Sequence, residues 1–319
     1  SSAWYDNGNK LLLGCDGGIF YSSDGGTTIR DRNVGLRLKQ FYACDIHPST
    51  TNYFIAGAQD NGTHQFNNAG LSSSVEVFGG DGAYVAIDKD QPQYQTGAYV
   101  YSNYWRSSNT GASWTSGPQD NTGQFINPYA YDNAGNKVYA CYSAGTYNRW
   151  ENPQSGFTFT SVPMAAFGGQ LVGSVCVSPY TANRVYFGMA SGGKIIRVDG
   201  ADGASPTGVD ITGGSMPTGG VYMNCINTGS SDQYLVASYT NYGTSSIWVT
   251  TNGGTSWTAV EGNLPDLPVY WAMFHPDDNG KMFIATETGI WETDLLNGAS
   301  TVWVPNTSFP TVRTTMLKY

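Results

Sequence analysis

The 319-residue chain carries 24 acidic against 15 basic side chains, and only 12% of its residues are charged. A formal net charge of −9 repels phosphate backbones and sets nucleic acid aside as a partner, and no run of 18 apolar residues is present to cross a membrane as a helix. The 41 glycines and 22 tyrosines, without the Ala, Leu, Glu and Lys runs of long helices, point to an all-β chain of short strands and tight turns.

In chain order, WYDNGNKLLLGCDGGIFYSSDGGTTI (4–29) reads as the second, third and fourth strands of a unit whose first strand is missing. One phrase then recurs, an apolar strand ending in a polar turn: FYACDIHP (41–48), AYVAIDKD (83–90), PYAYDNAG (128–135), GSVCVSPY (173–180), YMNCINTG (222–229) and YWAMFHPD (270–277). A second strand follows each, from YFIAGAQD (53–60) to KMFIATE (281–287).

Aligned on the last apolar residue of each first strand, Ile46, Ile87, Tyr131, Val177, Ile226 and Phe274 are separated by 41, 44, 46, 49 and 48 residues. A four-stranded blade with its turns needs roughly 40–50 residues. The closing TVRTTMLKY (311–319) reads as one more first strand, with Leu317 extending the column by a step of 43.

The pattern predicts one domain over 1–319, a seven-bladed β-propeller with four antiparallel strands per blade. One blade is shared by 312–319 and 1–32, and the others start near 41, 83, 128, 173, 222 and 270. The C-terminal strand would join the N-terminal blade and close the ring, removing exposed sheet edges.

A Gly-rich box is written three times. Ser22, Asp24, Gly26 and Thr28 form the first copy, Ser107, Asn109, Gly111, Ser113 and Trp114 the second, and Thr250, Asn252, Gly254, Ser256 and Trp257 the third; NPQSGFTF (152–159) is a degenerate fourth. Gly and Asn tolerate the positive φ of a tight turn, while the short Asp, Asn and hydroxyl side chains accept backbone N–H bonds. The box resembles the Asp-box (BNR repeat) of sialidases and sortilin-type receptors. That resemblance implies a structural turn joining third and fourth strands at the blade periphery, away from the ligand face.

Five cysteines without close spacing argue against a disulfide framework and a zinc site. Cys141, Cys176 and Cys225 fall in strand columns occupied elsewhere by Ala, Gly and Met, as expected of small packing residues. His47 and His275 both precede a proline and read as turn residues.

Chemistry is expected in the loops between second and third strands and in those leading into the next blade. They supply Asp16, Gln59, Asp60, Asn61, Asp81 and Glu287, with Trp105 and Tyr242 nearby, as a ligand-binding rim. The segments LLLGCDGGIFYSSDGGTT, AGAQDNGT and FGGDGAYVAID are similar to the opening blades of secreted propellers, among them family 74 xyloglucan hydrolases and surface proteins of the Bacteroidetes. The resemblance implies Asp16 and Asp81 as acid and base of a glycoside hydrolase. An inverting pair of that kind needs carboxyls ~6.5–9.5 Å apart.

No cofactor is expected. The one candidate ion is Ca²⁺, held by Asp60, Asn61 and Asp81 with main-chain oxygens in a spacing unlike an EF-hand. The reading that follows is a non-catalytic secreted or cell-surface module, part of a larger multidomain chain, binding a polysaccharide or an extracellular protein through its loop face. The alternatives are a β-glucan hydrolase and an assembly-factor propeller like those that help build photosystem II.

Overall fold

Short runs of β-branched, aromatic and small residues, ended by Gly, Asn, Asp or Ser, produce the same unit again and again along this chain. The computed structural model describes residues 1–15, 18–35, 39–68, 70 and 73–319. Among these, the strands form seven four-stranded antiparallel sheets, each with its strands in sequence order. This is the strand content of a seven-bladed β-propeller, and the only helical elements among the described residues are short 3₁₀ turns at Ala165–Phe167 and Gly298–Ser300.

The chain divides into two compact units, Ser1–Gln40 and Phe41–Tyr319. The first is a single sheet of strands Ser2–Tyr5, Lys10–Cys15, Gly18–Ser22 and Arg30–Asp31. This corrects the expectation that 312–319 supply its first strand. Ser2–Tyr5 takes that place, paired from Ser2 opposite Leu13 to Tyr5 opposite Lys10, and 312–319 form no strand. The reason is local. Asp6, Asn7 and Gly8 all adopt positive φ, at 57°, 51° and 82°, and turn the chain back at once. A short hairpin closes at far lower entropic cost than a pairing across the whole chain.

The second unit holds six sheets, whose first strands are Phe41–Ile46, Val85–Ile87, Tyr129–Asp132, Val172–Val177, Met223–Thr228 and Val269–His275. Each first strand packs beside the next. The apolar core lies between successive sheets. Between the fourth and fifth, Tyr139, Tyr147, Phe167, Phe187 and Met189 are fully buried together, each contributing on the order of 1.5–3 kcal/mol by leaving water.

The Gly-rich box makes one hydrogen-bond set three times. Ser22 Oγ accepts from Gly26 N, and Asp24 Oδ1 accepts from Thr28 N. Ser107 and Asn109 do the same for Gly111 and Ser113, and Thr250 and Asn252 for Gly254 and Ser256. Each copy joins the third and fourth strands of its sheet. Behind the third copy, Trp257 is buried and donates Nε1–H to Ile211 O of the preceding sheet at 2.8 Å. Trp303 does likewise to Val260 O at 2.8 Å, with no box before it.

Segment 312–319 acts as a clasp within the second unit. Thr314 N donates to Thr286 O, the Thr315 hydroxyl to Phe41 O at 3.2 Å, and Cys44 N to Met316 Sδ at 3.4 Å. Met316 and Leu317 pack against Cys225, Trp271 and Ala285.

Candidate functional site

Strand direction defines two ends of the second unit. All six first strands run towards their first-to-second turns, and residues from those turns, among them Pro48, Lys89, Asn133, Tyr180, Gly229 and Pro276, line one common cavity. The second-to-third turns and the connections into each next sheet therefore occupy the opposite end, called here the loop end.

Most of the predicted rim falls on the loop end, in two groups. In the second sheet, Gln59, Asp60 and Asn61 form the turn between Phe54–Ala58 and Gly62–Phe66. Asp81 Oδ1 accepts from Asp60 N at 2.9 Å, and Asn61 Nδ2 donates to Gln59 O at 2.8 Å. Glycine makes this possible, since a Cβ on Gly82 would stand 2.4 Å from Gly62 O and one on Gly57 only 2.1 Å from Ala83 O. Asp81 and Asn61 thus bond within their own turn, and among the described residues no group of three His, Cys, Asp or Glu side chains is arranged to hold a metal.

The second group surrounds Glu287 in the seventh sheet. The Tyr270 hydroxyl donates to Glu287 Oε1, and Arg313 approaches the same oxygen with Nε at 3.8 Å. The Arg313 guanidinium also lies over the Tyr270 ring, 4.5 Å from its centroid, a cation–π contact. Burial, followed by the bond to Glu287, pushes the Tyr270 hydroxyl up to about 12. Tyr242, 66% exposed, adds to that rise through its charge when ionised. Tyr42 joins the two groups: burial raises its pKa first, the charges of Asp81 and Asp60 raise it further, and Arg313 opposes them.

Two predicted residues are not placed in these groups. Asp16 lies outside the described residues. Trp105 sits within strand Tyr104–Ser107, stacked on Phe78 of the preceding sheet at 4.9 Å and 6° between planes, so its ring serves inter-sheet packing. Sequence reasoning missed Tyr42, Tyr270 and Arg313. The first two sit inside ordinary strand phrases, and Arg313 lies in a segment whose pattern reads as a strand.

At the opposite end, the cavity measures about 600 Å³, within the usual range for small-molecule sites. No helix among the described residues is long and apolar enough to cross a membrane.

No family model and no curated protein matches the chain. Solved propellers match its fold at low identity. YCF48 bound to D1 peptide is 15% identical, with a TM-score of 0.60, over 92% of this chain and 89% of that one. Sqt1 from Chaetomium thermophilum is 14% identical, with a TM-score of 0.62, over 96% and 87%. The GH74 xyloglucanase from Xanthomonas campestris is 14% identical, with a TM-score of 0.61, over 93% of this chain but 52% of that one, so the chain spans about half its length. What these likenesses share with this chain is the β-propeller fold.

Proposed function

We propose that this chain is a non-catalytic binding module that takes a polypeptide segment of a protein partner on its loop end. The observation that carries the reading is the group of Tyr270, Glu287 and Arg313 beside exposed Tyr242. Tyr222, 59% exposed, is tied to the same loop through Asn241, whose Oδ1 accepts from Tyr222 N at 2.7 Å. Exposed tyrosines next to a charged pair supply contact area and orientation together, as recognition surfaces require. The structure of YCF48 with a D1 peptide supports peptide binding as a use of this fold. The same open tyrosine faces also favour a glycan as second reading, since they can stack on sugar rings. The low share of charged side chains supports a secreted or cell-surface setting.

A hydrolase reading has less support. Asp81 Oδ1 is taken up by Asp60 N, which leaves Oδ2 alone to exchange protons with a substrate, and its expected partner Asp16 lies outside the described residues. Parallel peptide and glycan arrays test the proposal. Hits should lose about tenfold or more in affinity with Tyr242→Ala or Glu287→Gln at unchanged melting temperature. Absence of hits on both arrays, or hits indifferent to both substitutions, overturns it. Release of reducing ends from xyloglucan that Asp81→Ala abolishes would establish the hydrolase instead.

A further inference from the structure

The cavity at the end opposite the loops shows a lopsided hydrogen-bond account. Its one carboxylate side chain is Asp45, and that group is saturated: Oδ1 accepts from Lys89 Nζ at 2.7 Å and Ile46 N at 3.0 Å, Oδ2 from Ile87 N at 2.7 Å. Lys89 is neutralised by the same contact and also donates to Ile46 O.

The donors are in surplus. His47 Nδ1 accepts from Ser49 N at 3.2 Å and Thr50 N at 3.1 Å, and His275 Nδ1 accepts from Asp277 N at 3.2 Å. Each neutral ring therefore carries its proton on Nε2, and neither Nε2–H meets an acceptor among the described residues. Asn133 spends Oδ1 on Lys89 N at 2.7 Å, which leaves its Nδ2 hydrogens to spare. Lys318 lies over the Trp271 ring, 5.7 Å from its centroid, and has no carboxylate partner among the described residues. In a chain of net charge −9, this pocket offers an uncompensated cation and several unused N–H groups, beside the apolar surfaces of Trp271, Pro276 and Leu317.

We propose that this cavity is a second binding site, for a molecule carrying a carboxylate on an apolar body, with Lys318 engaging the carboxylate and Trp271 the body. Charge-assisted bonds to a carboxylate are the strong ones, and Trp271, Pro276 and Leu317 offer apolar surface beside Lys318 for the body of the molecule. The site is independent of the loop-end reading. The carboxylate could belong to a small free acid or to the end of a polypeptide.

Calorimetric titration of the whole chain tests it, with phenylacetate against phenylacetamide, and with a short peptide ending in Phe as free acid against its C-amide. At least one acid should bind saturably, with its neutral amide about tenfold or more weaker. Whichever acid binds more tightly identifies the source. Lys318→Gln should remove that preference at unchanged melting temperature, Lys318→Arg should keep most of it, and Glu287→Gln at the loop end should leave it alone. Equal binding of acid and amide, an unaffected Lys318→Gln, a loss in Glu287→Gln, or no saturable binding of either acid in the millimolar range overturns the proposal, whatever the arrays report for the loop end.

Discussion

Asp45 in the second sheet and Lys89 beyond the first strand of the third form an ion pair of 2.7 Å whose carboxylate is 8% exposed and whose ammonium is 37% exposed. The pair ties two neighbouring sheets at the cavity end, and Asp45 also caps Ile87 N of the third sheet. Removing Asp45 strands the buried Ile87 N–H and leaves Lys89 with Ile46 O alone. Asp45→Ala should cost about 2–4 kcal/mol in urea unfolding through the stranded Ile87 N–H, and Lys89→Met, which leaves the buried Asp45 carboxylate without its cation, should cost a comparable amount. A negligible cost for Lys89→Met would show that the backbone N–H groups alone hold the carboxylate.

Trp257 and Trp303 each donate across a sheet boundary, whereas Trp114 donates to Gly111 O of its own turn. Truncation of either of the first two to Ala should destabilise by about 3–5 kcal/mol. Trp114→Ala should cost less, because that ring is only half-buried. Thermal unfolding of the three variants checks the order, and a Trp114 cost at or above the other two contradicts it.

The Asp24 carboxyl is lowered from 3.8 to about 2, first by the Thr28 N–H, then by the Thr28 and Ser22 hydroxyls. Because the folded value lies below the unfolded one, the turn gains from ionisation above about pH 4 and loses that gain as pH falls through about 2. The other copies place Asn109 and Asn252 at this position. Asp24→Asn should therefore keep the turn and erase its acid sensitivity. The Thr28 amide resonance, followed from pH 5 downward, should shift in the native chain and stay still in the variant.

Gly57 and Gly82 hold the loop-end turn by close approach, whereas a Cβ at Gly214 would meet nothing within 4 Å, at a φ outside the left-handed region. Gly82→Ala should cost about 2 kcal/mol or more through forced backbone movement, and Gly214→Ala should stay within about 0.5 kcal/mol of neutral. A neutral Gly82→Ala would mean that the turn can shift freely, and with it the position of Asp81.

The strands were legible because short β-branched and aromatic runs are broken by Gly, Asn, Asp and Ser turns and recur at roughly 40–50 residues. Ile46, Ile87 and Val177 each close a first strand. The box turns were legible because their bonds run between residues two to four apart, such as Asn109 to Ser113. What escaped reading is non-local. Trp303 repeats the role of Trp257 without any flanking signal, because its partner Val260 is 43 residues away. The loop end was legible as a rim through Glu287 and Tyr242, but its Tyr270–Arg313 contact and the whole cavity end were not, because Arg313 meets Tyr270, and Lys318 meets Trp271, across the full length of the seventh sheet. The expected pairing of 312–319 lost to the Asp6–Gly8 hairpin, a local competitor that a column alignment does not weigh.

The clasp has a consequence for synthesis. Thr315 and Met316 grip Phe41 and Cys44, residues 274 and 272 positions earlier, so this contact cannot form until the chain has emerged from the ribosome as far as Met316. Each sheet can assemble from its own hairpins as it emerges, while the edge at 41–46 waits unclasped for tens of seconds of translation, at about 5–20 residues per second. Clasping should therefore be a late step for this unit, and the interval before it is when the edge at 41–46 is most open to chaperones and to self-association.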